Sequence, residues 1–363
     1  MPSASLPNED YTVGWICALP IEAAAATAML DEIHEEPRKR LPNDHNVYTL
    51  GRIGEHNVVI ACLPSGVYGT NPAATIAAQM LSSFESIRVG LMVGIGGGVP
   101  SAEKDIRLGD VVVSKPGGTF GGVVQYDRGK IAEGKFERTG SLNKPPQVLL
   151  SAVSAMEKKH MMGESKISEF LKDMFRKYPR MQERFSYHCT QHDPLLATHG
   201  RHSGVEPVVH YGLVASGNQV IKDAASRDQL RQELGGDVLC FEMEAAGLMD
   251  IFPCIVIRGI CDYADYRKND IWQGYAAATA AACAKELLGI IQRSGVAVTL
   301  TAADRLSPSR KACFAVPFER DSKFIGREDI ITEIDRRFEV QRRVALAGIG
   351  GVGWVLHGNK VDV

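Results

Sequence analysis

The stretch LCFEMEAAGLMDIFPCIVIRGICDYAD, Leu239 to Asp265, carries acids where its two apolar runs stop. The first run closes at Phe241 and gives way to Glu242, Met243 and Glu244, from which a helix-like pattern extends through Met249. The second run, PCIVIRGI, is nearly unbroken in its apolar character, as expected of a strand buried on both faces of a parallel sheet. Asp262 follows it, 18 residues after Glu244. Because α/β sheets gather ligand groups at strand ends, these acids are expected to converge on one pocket. The competing reading keeps each acid local: Glu242 and Glu244 favour a helix N-terminus through its dipole, and Asp262 opens a polar loop.

Outward from this stretch, strand-like runs alternate with helix-like ones, the pattern of an α/β fold with a mostly parallel sheet. YTVGWICAL reads as a strand, Pro20 as a first helical position and IEAAAATAMLDEIHEE as a helix. HNVYTLGRIGEHNVVIACLP reads as two strands about a turn at Gly54 to Asn57. Helices are expected over NPAATIAAQMLSSF, QVLLSAVSAMEKKHMM and GYAAATAAACAKELLGII, and strands over VGLMVGI, DVVVS and VVHYGLVAS. Gly163 to Val208 is the least regular region of the main domain.

Composition narrows the class. A chain of 363 residues with 45% hydrophobic and 23% charged residues has enough apolar content for one large core and a short appendage. A net charge of -2 gives no reason to expect nucleic acid as a partner. The eight cysteines form no CxxC pair and several sit inside apolar runs, so they read as reduced, mostly buried thiols. MPSASLPNED lacks a basic region followed by an apolar stretch, and no apolar span has bilayer length. A soluble, cytoplasmic protein without a membrane partner is the expectation.

Three other motifs are weighed and set aside. Gly94, Gly96 and Gly98 follow a strand, but Pro100 and the charged stretch Glu103 to Arg107 stand where a dinucleotide fingerprint needs its helix. His188, Cys189 and His192 offer too few ligands for a tetrahedral metal site. PSGVYG and ASGNQ do not make the GxSxG elbow of a serine hydrolase. No metal or organic cofactor is expected.

Several ordered segments carry a resemblance. VGWICALPIEAAAA, PSGVYGTNPAA, VGIGGGVP with RLGDVVVS, ASGNQVIKD, FEMEAAG and CDYAD are similar, in this order, to segments of the nucleoside phosphorylase and methylthioadenosine/adenosylhomocysteine nucleosidase superfamily. The resemblance covers roughly residues 10 to 293 and extends to the phosphorylase-like domains at the N-terminus of fungal nucleotide-binding receptor proteins. It implies a three-layer α/β/α phosphorylase-type fold around a mixed, mostly parallel sheet, and a homo-oligomer. Residues 1–293 form that domain on this reading, and 294–320 a linker. FIGREDIITEIDRRF and RRVALAGIGGVG, within 321–363, look like the start of a nucleotide-binding NTPase module. Trp354 stands where its phosphate-binding loop needs lysine, so a truncated remnant without nucleotide affinity is expected there.

The resemblance also implies roles. Asp262 protonates or hydrogen-bonds N7 of a purine, Glu244 holds the 2′ and 3′ hydroxyls of ribose, and Met243 packs beneath the sugar. Glu242 lies near base and sugar, Val220 and Ile221 offer backbone to the purine edge, and Gly96 and Gly97 line the sugar or nucleophile pocket. Glu22 matches the carboxylate that orients water in the nucleosidase branch; beside a phosphate dianion it would be repulsive, which favours hydrolysis over phosphorolysis. Arg201 with His202, and Arg267 with Lys268, flank the expected pocket as receivers of a 5′ phosphate or as solvated surface charge. The expected activity is purine N-ribosyl cleavage on a nucleoside or nucleotide, with phosphorolysis and a silent sensing or assembly module as alternatives.

Overall fold

The computed structural model describes residues 6–187 except 38, 40 and 133, then 206–302, 304, 355–357 and 360–362. Two compact units emerge, Met1–Ser309 and Arg310–Val363. In the first, β1 (Val13–Cys17), α1 (Pro20–Met29), β2 (Glu32–Ile33), β3 (Tyr48–Ile53), β4 (His56–Cys62) and α2 (Thr70–Ser83) lead to the central strand β5 (Val89–Gly98). There follow β6 (Val111–Ser114), β7 (Val123–Gln125), a hairpin of β8 (Gly129–Ala132) and β9 (Lys135–Arg138), then α3 (Gln147–Met161), α4 (Ile167–Lys177) and α5 (Gln182–Phe185). The unit closes with β10 (Val209–Ser216), α6 (Ala224–Glu233), β11 (Val238–Glu242), β12 (Cys254–Asp262), α7 (Gln273–Ile290) and α8 (Arg293–Ala297). The second unit contributes one antiparallel pair, β13 (Val355–His357) with β14 (Lys360–Asp362).

The main sheet runs β11-β10-β6-β12-β5-β1-β4-β3-β2, with β7 on β10, and β11 pairs β5 as well. That last pairing closes β5, β12, β6, β10 and β11 into a ring. The sheet is mixed and mostly parallel: β12 runs parallel to β5, β1 to β4 and β5, and β10 to β6, β7 and β11. Strands β5 and β12 are almost wholly buried, which is why their sequences read as apolar runs rather than alternating ones. Helix α7 is buried on nearly every side, because its alanines let β12, β5 and α1 approach together. The α/β/α expectation holds: α1, α3, α4 and α5 gather on α7, while α2 packs on β1, β4 and the turn at Ala245–Gly247. No helix among the described residues is long and apolar enough to cross a membrane.

Three local expectations are corrected. The helix-like pattern from Glu242 through Met249 yields only a 3₁₀ turn at Ala245–Gly247. Glu242 turns its carboxylate back onto the Glu244 and Ala245 amides at 3.1 Å, and Gly247 lies so close to the Thr70 backbone that a Cβ would fall 1.9 Å from the Thr70 carbonyl oxygen. Helix α1, expected to continue to Glu36, stops at Met29, where Lys285 Nζ donates to the Met29 carbonyl and Lys177 Nζ to that of Leu30. Within Gly163 to Val208, α4 forms on its buried Ile167, Leu171 and Met174. After α7, α8 forms, and buried Ala302 donates its N–H to the Ile87 carbonyl at 2.8 Å.

Candidate active site

A cavity of about 180 Å³ opens at the carboxyl ends of β5, β11 and β12. Its walls include Glu22, Gly96, Gly97, Val220, Ile221, Glu242, Met243, Glu244 and Asp262, all of them site residues expected from the sequence. The three candidate catalytic acids, Glu22, Glu244 and Asp262, therefore meet around one space although 240 residues separate the first from the last.

Glu22 reaches the cavity from the first turn of α1. One carboxylate oxygen accepts the Ala18 and Leu19 N–H groups at 2.7 and 3.0 Å, and the other accepts Ile95 N–H at 2.8 Å. It thus caps α1 in the manner of a glutamate at the third helical position, and the same amides anchor it in the wall. Burial raises its pKa, an effect that Arg258 and the three amides oppose. Gly94 permits this arrangement, since a Cβ there would lie 2.4 Å from both Glu22 Oε1 and Arg258 Nη1.

Arg258 was missed in the sequence. It lies in the middle of β12, 1% exposed, and its guanidinium pairs with Glu242 and, at 3.3 Å, with Glu244. Burial works against its charge, but Glu242, Glu244 and Glu22 more than compensate and hold its pKa above the ordinary arginine value. A single charge inside the run PCIVIRGI was the available signal, because a charge in a strand buried on both faces requires partners. Glu244 also accepts Gly69 N–H at 3.4 Å. Burial pushes its pKa up to about 7; Arg258 opposes that shift, while Glu242 and Glu22 reinforce it.

Asp262 ends β12 beyond a register shift: Ile260 pairs with Gly96 and Asp262 with Gly97, leaving Cys261 as an extra residue. In a regular strand consecutive side chains face opposite sides, whereas here both Cys261 and Asp262 line the cavity. Ala264 N–H donates to Asp262 Oδ1 at 2.8 Å, and Lys268 Nζ lies 3.0 Å from Oδ2. Lys268, not Arg267, is the cation of this loop that lines the cavity. Arg267 is exposed and engages Tyr266, its Nε 3.0 Å from the tyrosine oxygen, because the turn after Asp265 points it outward. Arg201 lies outside the described residues, as do His188, Cys189, His192 and the glycine-rich segment up to Trp354.

Asn218 ties the loop after β10 to the start of α2 and to Asp127. Its side-chain oxygen accepts Thr70 N–H at 3.0 Å, and its own amide N–H donates to Asp127 at 2.7 Å. Gln219, Val220 and Ile221 follow and also line the cavity. A wider groove of about 450 Å³, bordered by Lys104, Lys115 and Arg231, lacks the convergence of acids found here.

The family model for the phosphorylase superfamily matches residues 12–293, the stretch that supplies every element of the cavity. The chain belongs to the phosphorylase superfamily. A nucleotide-binding leucine-rich repeat (NLR)-like protein of the fungus Hyaloscypha variabilis is 46% identical over 96% of this chain and 36% of its own length. An ATP nucleosidase of Escherichia coli is 25% identical over 73% of this chain and 48% of its own. The chain thus spans about a third to a half of the length of these relatives. Among solved structures, the S-adenosylhomocysteine nucleosidase of Streptococcus pyogenes, in complex with 5-methylthiotubericidin, shares the fold with a TM-score of 0.53 at 18% identity, covering 78% of this chain and 98% of its own.

Proposed function

We propose that the chain cleaves the N-ribosyl bond of a purine nucleoside or nucleotide by hydrolysis, releasing adenine, with ATP among its substrates and an NLR-like defence response as its setting. The observation that carries the choice of hydrolysis is the charge balance of the cavity. Glu22, Glu242, Glu244 and Asp262 all line it, and the two cations beside them, Arg258 and Lys268, are already paired with carboxylates. A phosphate dianion entering this space would meet net negative charge. Water would not.

The chemistry follows from where charge develops. As the base departs, the anomeric carbon becomes cation-like and the purine gathers electrons. Glu244 holds the ribose hydroxyls and places negative charge near the sugar, where it favours the transition state over the ground state. Asp262 faces purine N7 and delivers a proton to the leaving base. Glu22, fixed by three amides and made more basic by burial, orients the attacking water and accepts its proton. The adenine nucleotide reading draws on the likeness to the ATP nucleosidase and the NLR-like setting on the fungal relative.

Adenosine, AMP and ATP incubated with the protein, with and without phosphate, and resolved by chromatography test reaction and substrate together. Free adenine and the corresponding ribose or ribose-phosphate product are expected without added phosphate. Adenine that forms only with phosphate, accompanied by ribose-1-phosphate, would make the chain a phosphorylase instead.

A further inference from the structure

Helix α2 begins without a cap of its own. Gly69, at its N-cap position, has no side chain to receive the first amides, and its φ of 107° lies in the region that favours glycine. Asn218, 148 residues beyond Thr70, takes that role from another loop. Its Oδ1 accepts Thr70 N–H at 3.0 Å, and its carboxamide meets the Thr70 hydroxyl through both atoms, 3.2 Å from Oδ1 and 3.1 Å from Nδ2. A Cβ on residue 69 would lie 2.6 Å from Asn218 Oδ1, so the close approach itself requires the glycine.

The turn held in this way leads to the cavity. Gly69 N–H donates to Glu244 Oε1 at 3.4 Å, and the Thr70 backbone is pressed against Gly247 in the 3₁₀ turn that directly follows Glu244. Asn218 is anchored on its other side as well. Its backbone N–H donates to Asp127 Oδ2 at 2.7 Å, Gln125 Nε2 donates to Asp127 Oδ1 at 2.8 Å, and the Tyr126 hydroxyl donates to the Gln219 carbonyl at 2.8 Å. Asn218 does not line the cavity, whereas Gln219, Val220 and Ile221 after it do, and so does Glu244. A helix cap needs only the bond to Thr70. The anchor at Asp127 and the reach of the capped turn to Glu244 make a connected path from the loop after β10 to a carboxylate of the site.

Resting on the assignment of Glu244 to the ribose hydroxyls, we propose that Asn218 is a positioning residue that fixes Glu244 through the first turn of α2 and so sets the preference for ribose over 2′-deoxyribose. Glu244 is held at both oxygens, Oε2 by Arg258 at 3.3 Å and Oε1 by Gly69 N–H. Arg258 is immobile in β12, so the aim of the carboxylate depends on where Gly69 stands, and Asn218 decides that. A ribose brings two O–H donors to the carboxylate, and each oxygen keeps a lone pair for one of them. Rotation of the carboxylate would lose the 2′ hydroxyl while keeping the 3′ hydroxyl. A 2′-deoxyribose has only the second to offer and is indifferent to that rotation.

The test compares kcat/KM for adenine release from adenosine and from 2′-deoxyadenosine by the wild type, Asn218→Ala, Thr70→Val and Glu244→Gln. The wild type should favour adenosine. Asn218→Ala should lower that preference about tenfold. Thr70→Val, which removes the hydroxyl and keeps the N–H, should lower it about threefold. Added to Glu244→Gln, Asn218→Ala should change the preference no further, because the path ends at that carboxylate. A cap that serves stability alone would slow both substrates by the same factor, so an unchanged ratio in Asn218→Ala overturns the proposal, as does an effect that adds in full to that of Glu244→Gln. Asn218 is exposed, and the urea midpoint establishes that its variant is folded; were it unfolded, Thr70→Val would decide by the same ratio. A wild type without preference, or a wild-type preference persisting in Glu244→Gln, would overturn the reading of Glu244 and this proposal with it. A wild type that releases no base would defeat the reaction assignment separately, and the same ratio is then taken from the dissociation constants of the two nucleosides by calorimetry.

Discussion

Arg258 and Lys268 both answer carboxylates of the same cavity, but from different surroundings. Arg258 rises from the interior of β12, is 1% exposed, and pairs with two glutamates. Lys268 comes from the loop after β12, is 30% exposed, and meets one aspartate. The difference is one of replaceability. Nothing can replace the guanidinium in its dry setting, whereas water can take over from the lysine beside its aspartate.

The contrast would break first at Arg258. Its replacement by methionine leaves Glu242 and Glu244 buried without a cation, and urea denaturation should record a loss of about 3–5 kcal/mol. A loss below about 1 kcal/mol would mean that water already reaches these glutamates and that the two cations do not differ. Asp262→Asn sets the complementary limit. Adenine release should fall by about 10²- to 10⁴-fold, while ligand affinity and the urea midpoint stay close to wild type because Lys268 can be hydrated. Undiminished release would favour a binding module over an enzyme.

Glu244 also has a pH signature. Glu244 has a folded pKa of about 7, above its ordinary carboxylate value, so the native state holds a proton that the unfolded chain gives up earlier. The stability this contributes is complete below the unfolded pKa and is lost as pH rises towards about 7. Glu244→Gln removes the titration, so wild type should lose stability relative to this variant between pH 5 and pH 8, measured by urea midpoints. The smallest effect belongs to Arg267→Ala, which should alter stability by no more than about 0.5 kcal/mol and leave kcat/KM unchanged. A clear loss of affinity for ATP alone would show that the exposed arginine turns inward on a 5′ phosphate.

Much of this was legible in the sequence because acids ending apolar runs are conspicuous. Glu242, Glu244 and Asp262 are visible in that way, Glu22 only through the family resemblance, and the parallel strands β5 and β12 announce themselves by lacking polar alternation. Arg258 was hidden by the same rule, since a run called apolar absorbs one charge without losing its character. Lys268 and Arg267 are indistinguishable by composition, and only the turn after Asp265 sends one into the cavity and the other outward. The helix expected after Glu242 failed because tertiary contacts outweighed propensity: its first carboxylate is committed to the Glu244 and Ala245 amides, and Gly247 is pressed against Thr70. The antiparallel pairing of β11 with β5 joins strands far apart in the chain, which periodicity does not register.

The extra residue Cys261 in β12 gives one wall two consecutive side chains where simple alternation would give it one. Trimming it would leave the aspartate facing Gly97 but would strip away the thiol that donates to its Oδ2, so the bulge furnishes a neighbour for the carboxylate and does not set its direction.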